Sequence, residues 1–260
     1  MGRVVFVGAG PGDADLITLR GAKRLAEAEV VLYDALTDPA LRELAPRARW
    51  IGVGKRGFSP QGSTEQATID ALLVRHARES AVVVRLKGGD PSVFGRLEEE
   101  LAALAAAGIA CEVVPGVTAA LAAAAATQRP LTRRGTRGAS GRSVALATAF
   151  TRAGDVQATK TADTEVFYMA GKQLAVLARR LAEAGWDAAT RVLVVSRAGC
   201  ADMRQSDHTV HSLAQASLLH AGRPTVVTVG AGAAPLDLPW APSGAAAVHT
   251  PTARVQTLKS

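Results

Sequence analysis

The run Val4-Val-Phe-Val7 breaks directly into Gly8-Ala-Gly10-Pro11-Gly12-Asp13, and a helix-forming stretch from Leu19 to Ala28 then leads to a second apolar run, Val30 to Tyr33. Apolar residues in unbroken succession, bounded by glycines, read as a strand covered on both faces, as parallel sheets require. Parallel strands need a crossover, and the helix supplies it in a β-α-β unit of right-handed sense. The alternation continues. Trp50 to Val53, Val82 to Leu86 and Cys111 to Val114 are further strand candidates, with helices expected at Glu65 to Arg78 and Arg96 to Ala107. Five strands ending near Pro115 are expected to make one parallel sheet.

Beyond Pro115 the pattern changes. Val117 to Ala126 is Ala-rich and helical in propensity, and Arg129 to Arg142 is a Gly-, Ser- and Arg-rich loop. Ser143 to Leu146, Glu165 to Tyr168, Arg191 to Ser196 and Thr225 to Val229 then read as strands of a second sheet, with a helix at Leu174 to Ala184. The expectation is therefore α/β: an N-terminal domain over residues 1–115 with a parallel sheet, and a C-terminal domain over 116–235 with a mixed sheet. Residues 236–260, rich in Pro, Ala and Ser, are expected to be a disordered tail. Aromatic residues make up only 4% of the chain, so the cores must rest on Ala, Val and Leu.

Each strand end carries a candidate site. The turn at Gly8 to Asp13 admits a ligand close to the main chain, but a dinucleotide fingerprint would place glycine where Asp13 stands, and Pro11 removes an N–H that a pyrophosphate could use. A nucleoside without phosphates, such as the adenosyl part of S-adenosylmethionine, fits better; the bland alternative is a plain strand-to-helix turn with Asp13 or Asp15 as N-cap. Asp34 follows the second strand, where open α/β sheets bind ligands, and reads either as a functional acid or as a loop cap. Gly54-Lys55-Arg56-Gly57 puts two cations on the same rim, either functional or simply solvated. Lys87-Gly88-Gly89-Asp90-Pro91 leads through Val93 to Arg96 and the acids Glu98, Glu99 and Glu100; Arg96 and Glu99 either face substrate or pair with each other. Pro115-Gly116-Val-Thr118-Ala119 and Pro130-Leu-Thr-Arg133-Arg134 flank the domain junction, and Met169 closes a strand where a Met is more often core.

Lys and Arg number 30 against 23 acidic residues, a formal net charge of +7, which attracts anions. Arg129, Arg133, Arg134, Arg137 and Arg142 make one dense cationic loop without lysine, as suits bidentate grip on a ligand bearing many carboxylates. An RNA-binding loop would bring aromatics for stacking, and none lies between Gly116 and Ala149. Cys111 and Cys200 have neither disulfide-framework nor zinc spacing, so a reducing cytoplasm is expected. His208 and His211 read as sharing a helix face, with no third ligand to make a metal site. No secretory or membrane-spanning stretch is read.

Taken in order, these segments resemble the tetrapyrrole methylase family from about residue 3 to 230, and the VGKR and RLKGGDP segments resemble its uroporphyrinogen-III C-methyltransferase branch. The resemblance implies a homodimer of two α/β domains that binds S-adenosylmethionine in an active-site cleft between them, releases S-adenosylhomocysteine, and methylates uroporphyrinogen III twice to give precorrin-2 for siroheme, cobalamin or haem d1. It places cofactor contacts on Pro11, Gly88, Gly89, Asp90, Val93, Thr118, Ala119, Met169 and Gly199. Acid and base roles fall on Asp34 and Lys55, with Arg96 and Glu99 as further candidates; substrate contacts fall on Arg96, Glu99 and Arg134. No metal is implied. The chain departs from the family pattern at Ser92, Leu97 and Glu98, and at Thr148-Ala149-Phe150. A later cobalamin-pathway precorrin methyltransferase is the alternative within the family; an RNA-binding module and a nicotinamide-dependent dehydrogenase are the alternatives outside it.

Overall fold

The computed structural model describes residues 2–53, 66–134, 141–150 and 154–236. The expected tail, apart from Leu236, and the Gly54 to Gly57 segment with Lys55 lie outside the described residues.

Five strands form the first sheet: β1 (Arg3–Gly8), β2 (Val30–Tyr33), β3 (Arg49–Gly52), β4 (Val82–Lys87) and β5 (Cys111–Val114), in the order β3-β2-β4-β1-β5 and parallel in every pairing. Val4, Val5, Phe6 and Val7 of β1, an interior strand between β4 and β5, are completely buried, which accounts for the unbroken apolar run. The alternation of side chains divides them between two layers. Val4 and Phe6 pack with Leu73 of α2 (Gln66–Glu79) and Leu104 of α3 (Leu97–Ala106), whereas Val5 and Val7 pack with Leu25 of α1 (Leu19–Ala26). Each such side chain contributes about 1.5–3 kcal/mol on burial, so a charge at Val5 would break the lobe. α1 is capped by Thr18, whose hydroxyl accepts the Gly21 N–H at 3.0 Å, and not by Asp13 or Asp15. Asp13 stands instead before a short 3-10 turn, Ala14–Leu16, without a side-chain cap.

The second sheet has the order β6-β7-β10-β8-β9, built from β6 (Val144–Thr148), β7 (Thr164–Tyr168), β8 (Arg191–Ser196), β9 (Arg204–Thr209) and β10 (Thr225–Gly230). Only β6 and β7 run parallel, so the sheet is mixed. One face packs on α5 (Leu174–Glu183) through Leu174, Leu177 and Leu181. The other meets α4 (Ala119–Ala126), where Ala120, Ala122 and Ala123 let the helix approach Val166, Tyr168, Leu193 and Val195 closely. The molecule thus has two α/β domains. Strand β9 was not expected from the sequence, and it corrects the helical reading of His208 and His211: His208 lies on β9 opposite Val192, and His211 in the turn that follows.

Candidate active site

Register alone gathers the glycine and acid turns. In the first sheet Gly8 pairs with Lys87, Val7 with Val114, and Tyr33 with Leu86, so the segments that follow β1, β2, β4 and β5 all emerge on the same carboxyl edge. The turns then lock together. Gly10 and Gly89 form an isolated bridge, the Gly89 N–H donating to the Gly10 carbonyl at 2.7 Å. A Cβ on Gly8 would stand 2.6 Å from Gly116 and 2.8 Å from the Gly89 carbonyl oxygen, so this crossing admits no side chain. Asp90 uses both carboxylate oxygens as a clamp: Oδ1 accepts the Ser92 N–H at 2.8 Å and Oδ2 the Gly116 N–H at 2.9 Å. The position of Gly89 is different. It lies at φ +72°, and a Cβ there would find nothing nearer than Thr118 Cα and the Val117 carbonyl at 4.0 Å, which leaves an open ledge.

The second lobe reaches this ledge at three places. Thr118 Oγ1 lies 2.7 Å from the Tyr168 hydroxyl, which also accepts the Ala120 N–H. Burial raises the Tyr168 phenol above its usual pKa, so it stays protonated. Phe94 tilts against the same ring at a centroid distance of 5.0 Å. The Asp13 N–H donates to the Gly199 carbonyl at 2.7 Å, and Pro11 lies beside Gly199. Left-handed backbone costs a non-glycine residue on the order of 1–3 kcal/mol and tends to persist where function demands it. Among the described residues it occurs at Phe94, Arg96, Met169 and Arg197, all at or beside these contacts, and at Gln128. Met169 is 52% exposed beside the junction, so its side chain is not core packing.

On the rim, Asp34 pairs with Arg85, Nη2 to Oδ1 at 2.7 Å, and remains partly exposed. Arg85 in turn meets Glu100, and Glu100 meets Lys87. Sequence reasoning assigned nothing to Arg85, Lys87 or Glu100; the three consecutive acids were the only available signal, and they do not say which one is buried. Arg96 and Glu99 pair through two hydrogen bonds of 2.7 Å, and the bond to Glu99 raises the Arg96 pKa. Val93 lies between them and the Asp90 turn, its N–H donating to the Asp90 carbonyl at 3.2 Å.

The cationic loop divides. Arg129 is buried, holding the Asp207 carboxylate and the Ala233 carbonyl, so it fastens the second lobe and is not available to a ligand. Arg133 donates to the carbonyls of Ala234 and Pro235. Arg134 is exposed, whereas Arg137 lies outside the described residues. The departures from the family pattern have local explanations: Ser92 closes the Asp90 turn, Leu97 opens α3 against the first core, and Phe150 packs on the second. No described His, Cys, Asp and Glu residues group as a metal site, and no described helix is long and apolar enough to cross a membrane.

This geometry defines a two-lobed α/β protein whose glycine and acid turns gather where the lobes meet. A model of the tetrapyrrole (corrin/porphyrin) methylases matches residues 3–214, and the chain belongs to that family. It is 40% identical over 238 residues to the uroporphyrinogen-III C-methyltransferase of Pseudomonas aeruginosa, an alignment covering 88% of this chain and 93% of the relative. Its fold is similar to a uroporphyrin-III C-methyltransferase from Thermus thermophilus complexed with S-adenosylhomocysteine, at a TM-score of 0.75 and 37% identity over 88% of this chain and 97% of that one. A cobalt precorrin-4 methyltransferase of cobalamin biosynthesis aligns at a TM-score of 0.76 with 28% identity, covering 90% and 96%.

Proposed function

We propose that this chain is an S-adenosylmethionine-dependent uroporphyrinogen-III C-methyltransferase, adding two methyl groups in succession to give precorrin-2 for siroheme, cobalamin or haem d1 synthesis. The observation that carries the reading is the convergence of four turns on the open Gly89 ledge, in a chain 40% identical to a relative of that name over nearly its whole length. The ledge suits the nucleoside of S-adenosylmethionine: it offers main-chain surface from Gly88 and Gly89 and lies 4.0 Å from Thr118 Cα, with Ala119 next in the chain. Pro11 follows the bridged Gly10 and lies beside Gly199, and Met169 follows Tyr168, which bonds Thr118, so these residues are read as its further walls. Asp90 and Val93 serve by shaping it. Bound there, the cofactor would supply an electrophilic methyl group, and the carbon that accepts it leaves the macrocycle with one proton to lose.

The chain's own groups handle that proton and orient the substrate. Asp34, partly exposed and held at one oxygen by Arg85, can accept it at the rim. Glu99, on the first turn of α3 and paired with Arg96, is the second candidate carboxylate. Arg96 is a substrate-holding group and not a base, because a guanidinium bound twice by Glu99 keeps its proton. Arg134 joins it in binding the acid side arms, and Lys55 is the complementary acid. We infer a cytoplasmic homodimer. Incubation of the protein with labelled S-adenosylmethionine and uroporphyrinogen III, followed by counting methyl groups on the pigment, tests the reading: two are expected. None with uroporphyrinogen III, but one with a later corrinoid precursor, would transfer the chain to the branch of the precorrin-4 enzyme.

A further inference from the structure

Glu100 sits in the first turn of α3, next to Glu99, yet its side chain is completely buried. A carboxylate is held in such a place only when its lone pairs are taken. Oε1 accepts from Arg85 Nε at 3.0 Å and Oε2 from Lys87 Nζ at 2.9 Å, with Gln66 Nε2 at 3.4 Å from Oε1. Arg85 is fixed on three sides: Nε by Glu100, Nη1 by the Leu86 carbonyl at 3.2 Å, and Nη2 by Asp34 Oδ1 at 2.7 Å. Two buried cations and one buried carboxylate leave a single positive charge, which Asp34 balances at the rim. Burial, and then Arg85, pull the Lys87 ammonium below its usual pKa, while Glu100 opposes both. Well-packed apolar side chains of similar volume often serve stability as well or better, so a buried charge cluster of this kind points to a role besides stability.

We propose that Arg85, Glu100 and Lys87 form a positioning device for methyl transfer, in which Glu100, acting through Arg85, holds the Asp34 carboxylate in one place and one orientation at the cleft rim. The proposal rests on the reading of Asp34 as the group that handles the substrate proton. It links α3, which also carries Glu99, to the ends of β2 and β4, so both carboxylates of the cleft are set by one buried charge.

The test compares wild type, Glu100→Gln, Asp34→Asn and the double variant by steady-state kinetics with uroporphyrinogen III and by calorimetry with S-adenosylhomocysteine. A reacting group displaced by about 1 Å loses on the order of 10²-fold in rate, so Glu100→Gln should lower kcat by that order. KM for uroporphyrinogen III and the Kd of S-adenosylhomocysteine should stay within about twofold, and the loss should largely disappear in the Asp34→Asn background because the two act as a unit. A matching rise in Kd, or an undiminished loss in that background, would overturn the proposal. If Glu100→Gln does not fold, Arg85→Lys keeps the charge but cannot fork between two carboxylates, and the same readouts apply. If wild type does not methylate uroporphyrinogen III, the functional reading fails separately; crystal structures of wild type and Arg85→Lys or Glu100→Gln then decide, an unmoved Asp34 carboxylate refuting the positioning role.

Discussion

Substituting Gly12 by alanine should pry apart the two lobes. A Cβ on Gly12 would lie 2.2 Å from the Gly199 carbonyl oxygen, 2.3 Å from its carbon and 2.8 Å from the Cys200 nitrogen, all of them backbone atoms that cannot swing aside. The Gly199 segment must therefore retreat by about 1 Å, an overpacking strain of roughly 1–3 kcal/mol. The Asp13 N–H to Gly199 carbonyl bond, now 2.7 Å, would stretch beyond hydrogen-bonding range, at a further cost of about 1 kcal/mol. The sum, about 2–4 kcal/mol, corresponds to a fall in Tm of roughly 4–16 °C for a protein of this size. Because Pro11 and Gly199 are expected to border the nucleoside, S-adenosylhomocysteine should bind at least about tenfold more weakly, or about 1.4 kcal/mol. Scanning calorimetry and titration calorimetry read the two effects. Gly185→Ala is the control: Gly185 has φ +93° with nothing within 4 Å of a Cβ, so the variant carries backbone strain alone and should leave ligand affinity untouched. A Gly12→Ala protein no less stable than this control, with unaltered affinity, would refute the account of the crossing.

His220 is completely buried between Ser196 and Ser206, and burial, followed by His208, Arg223 and Arg204, lowers its pKa to about 4. Between that value and the unfolded value near 6.5 the unfolded chain binds the extra proton, so stability is full above 6.5 and falls as pH drops through this window; the loss at pH 4.5 should be about 2–3 kcal/mol, and urea titrations of wild type and His220→Gln should show the variant's dependence flattened. His208 shifts in the same direction and would add to the slope. Tyr168→Phe deletes a hydroxyl shared with Thr118 and Ala120, which should cost about 1–3 kcal/mol in denaturant unfolding. Arg96→Ala removes a pair that is roughly half exposed on both sides, so unfolding should change by less than about 0.5 kcal/mol, while KM for uroporphyrinogen III should rise with S-adenosylhomocysteine affinity unchanged. Arg134→Ala should likewise weaken substrate more than cofactor in calorimetry; equal loss of both would remove it from the substrate side.

The parallel sheet was legible because its interior strands are buried on two faces and spell apolar runs, unbroken in β1 and β2 and over the first half of β4, whereas the edge strands β3 and β5 are only partly buried; β2, β5 and β8 end where the residue pattern ends. Strand β9 was not legible. Arg204-Gln-Ser-Asp-His-Thr209 is an edge strand held by its ladder to β8, with no fully buried side chain and hence no apolar alternation to read. The turns of the cleft were visible as glycine clusters, because close backbone approach excludes every other residue, and register alone brought them to one edge. Pairings across long separations left no trace in the pattern: Arg129 looks like a ligand-binding cation until Asp207, 78 residues away, is seen to hold it. Glu100 is indistinguishable in sequence from Glu98 and Glu99, since helix phase relative to a sheet decides which of three adjacent acids faces inward.

The crossing of Gly12 and Gly199 has a thermodynamic corollary. A molecule lodged against surfaces owned by separate folding units acts as a rivet, and its binding free energy is added to whatever cohesion those units already possess. On the proposed reading, occupancy and the rigidity of this junction become one quantity, so the protein would be stiffest when charged with its donor and would loosen once the spent nucleoside departs.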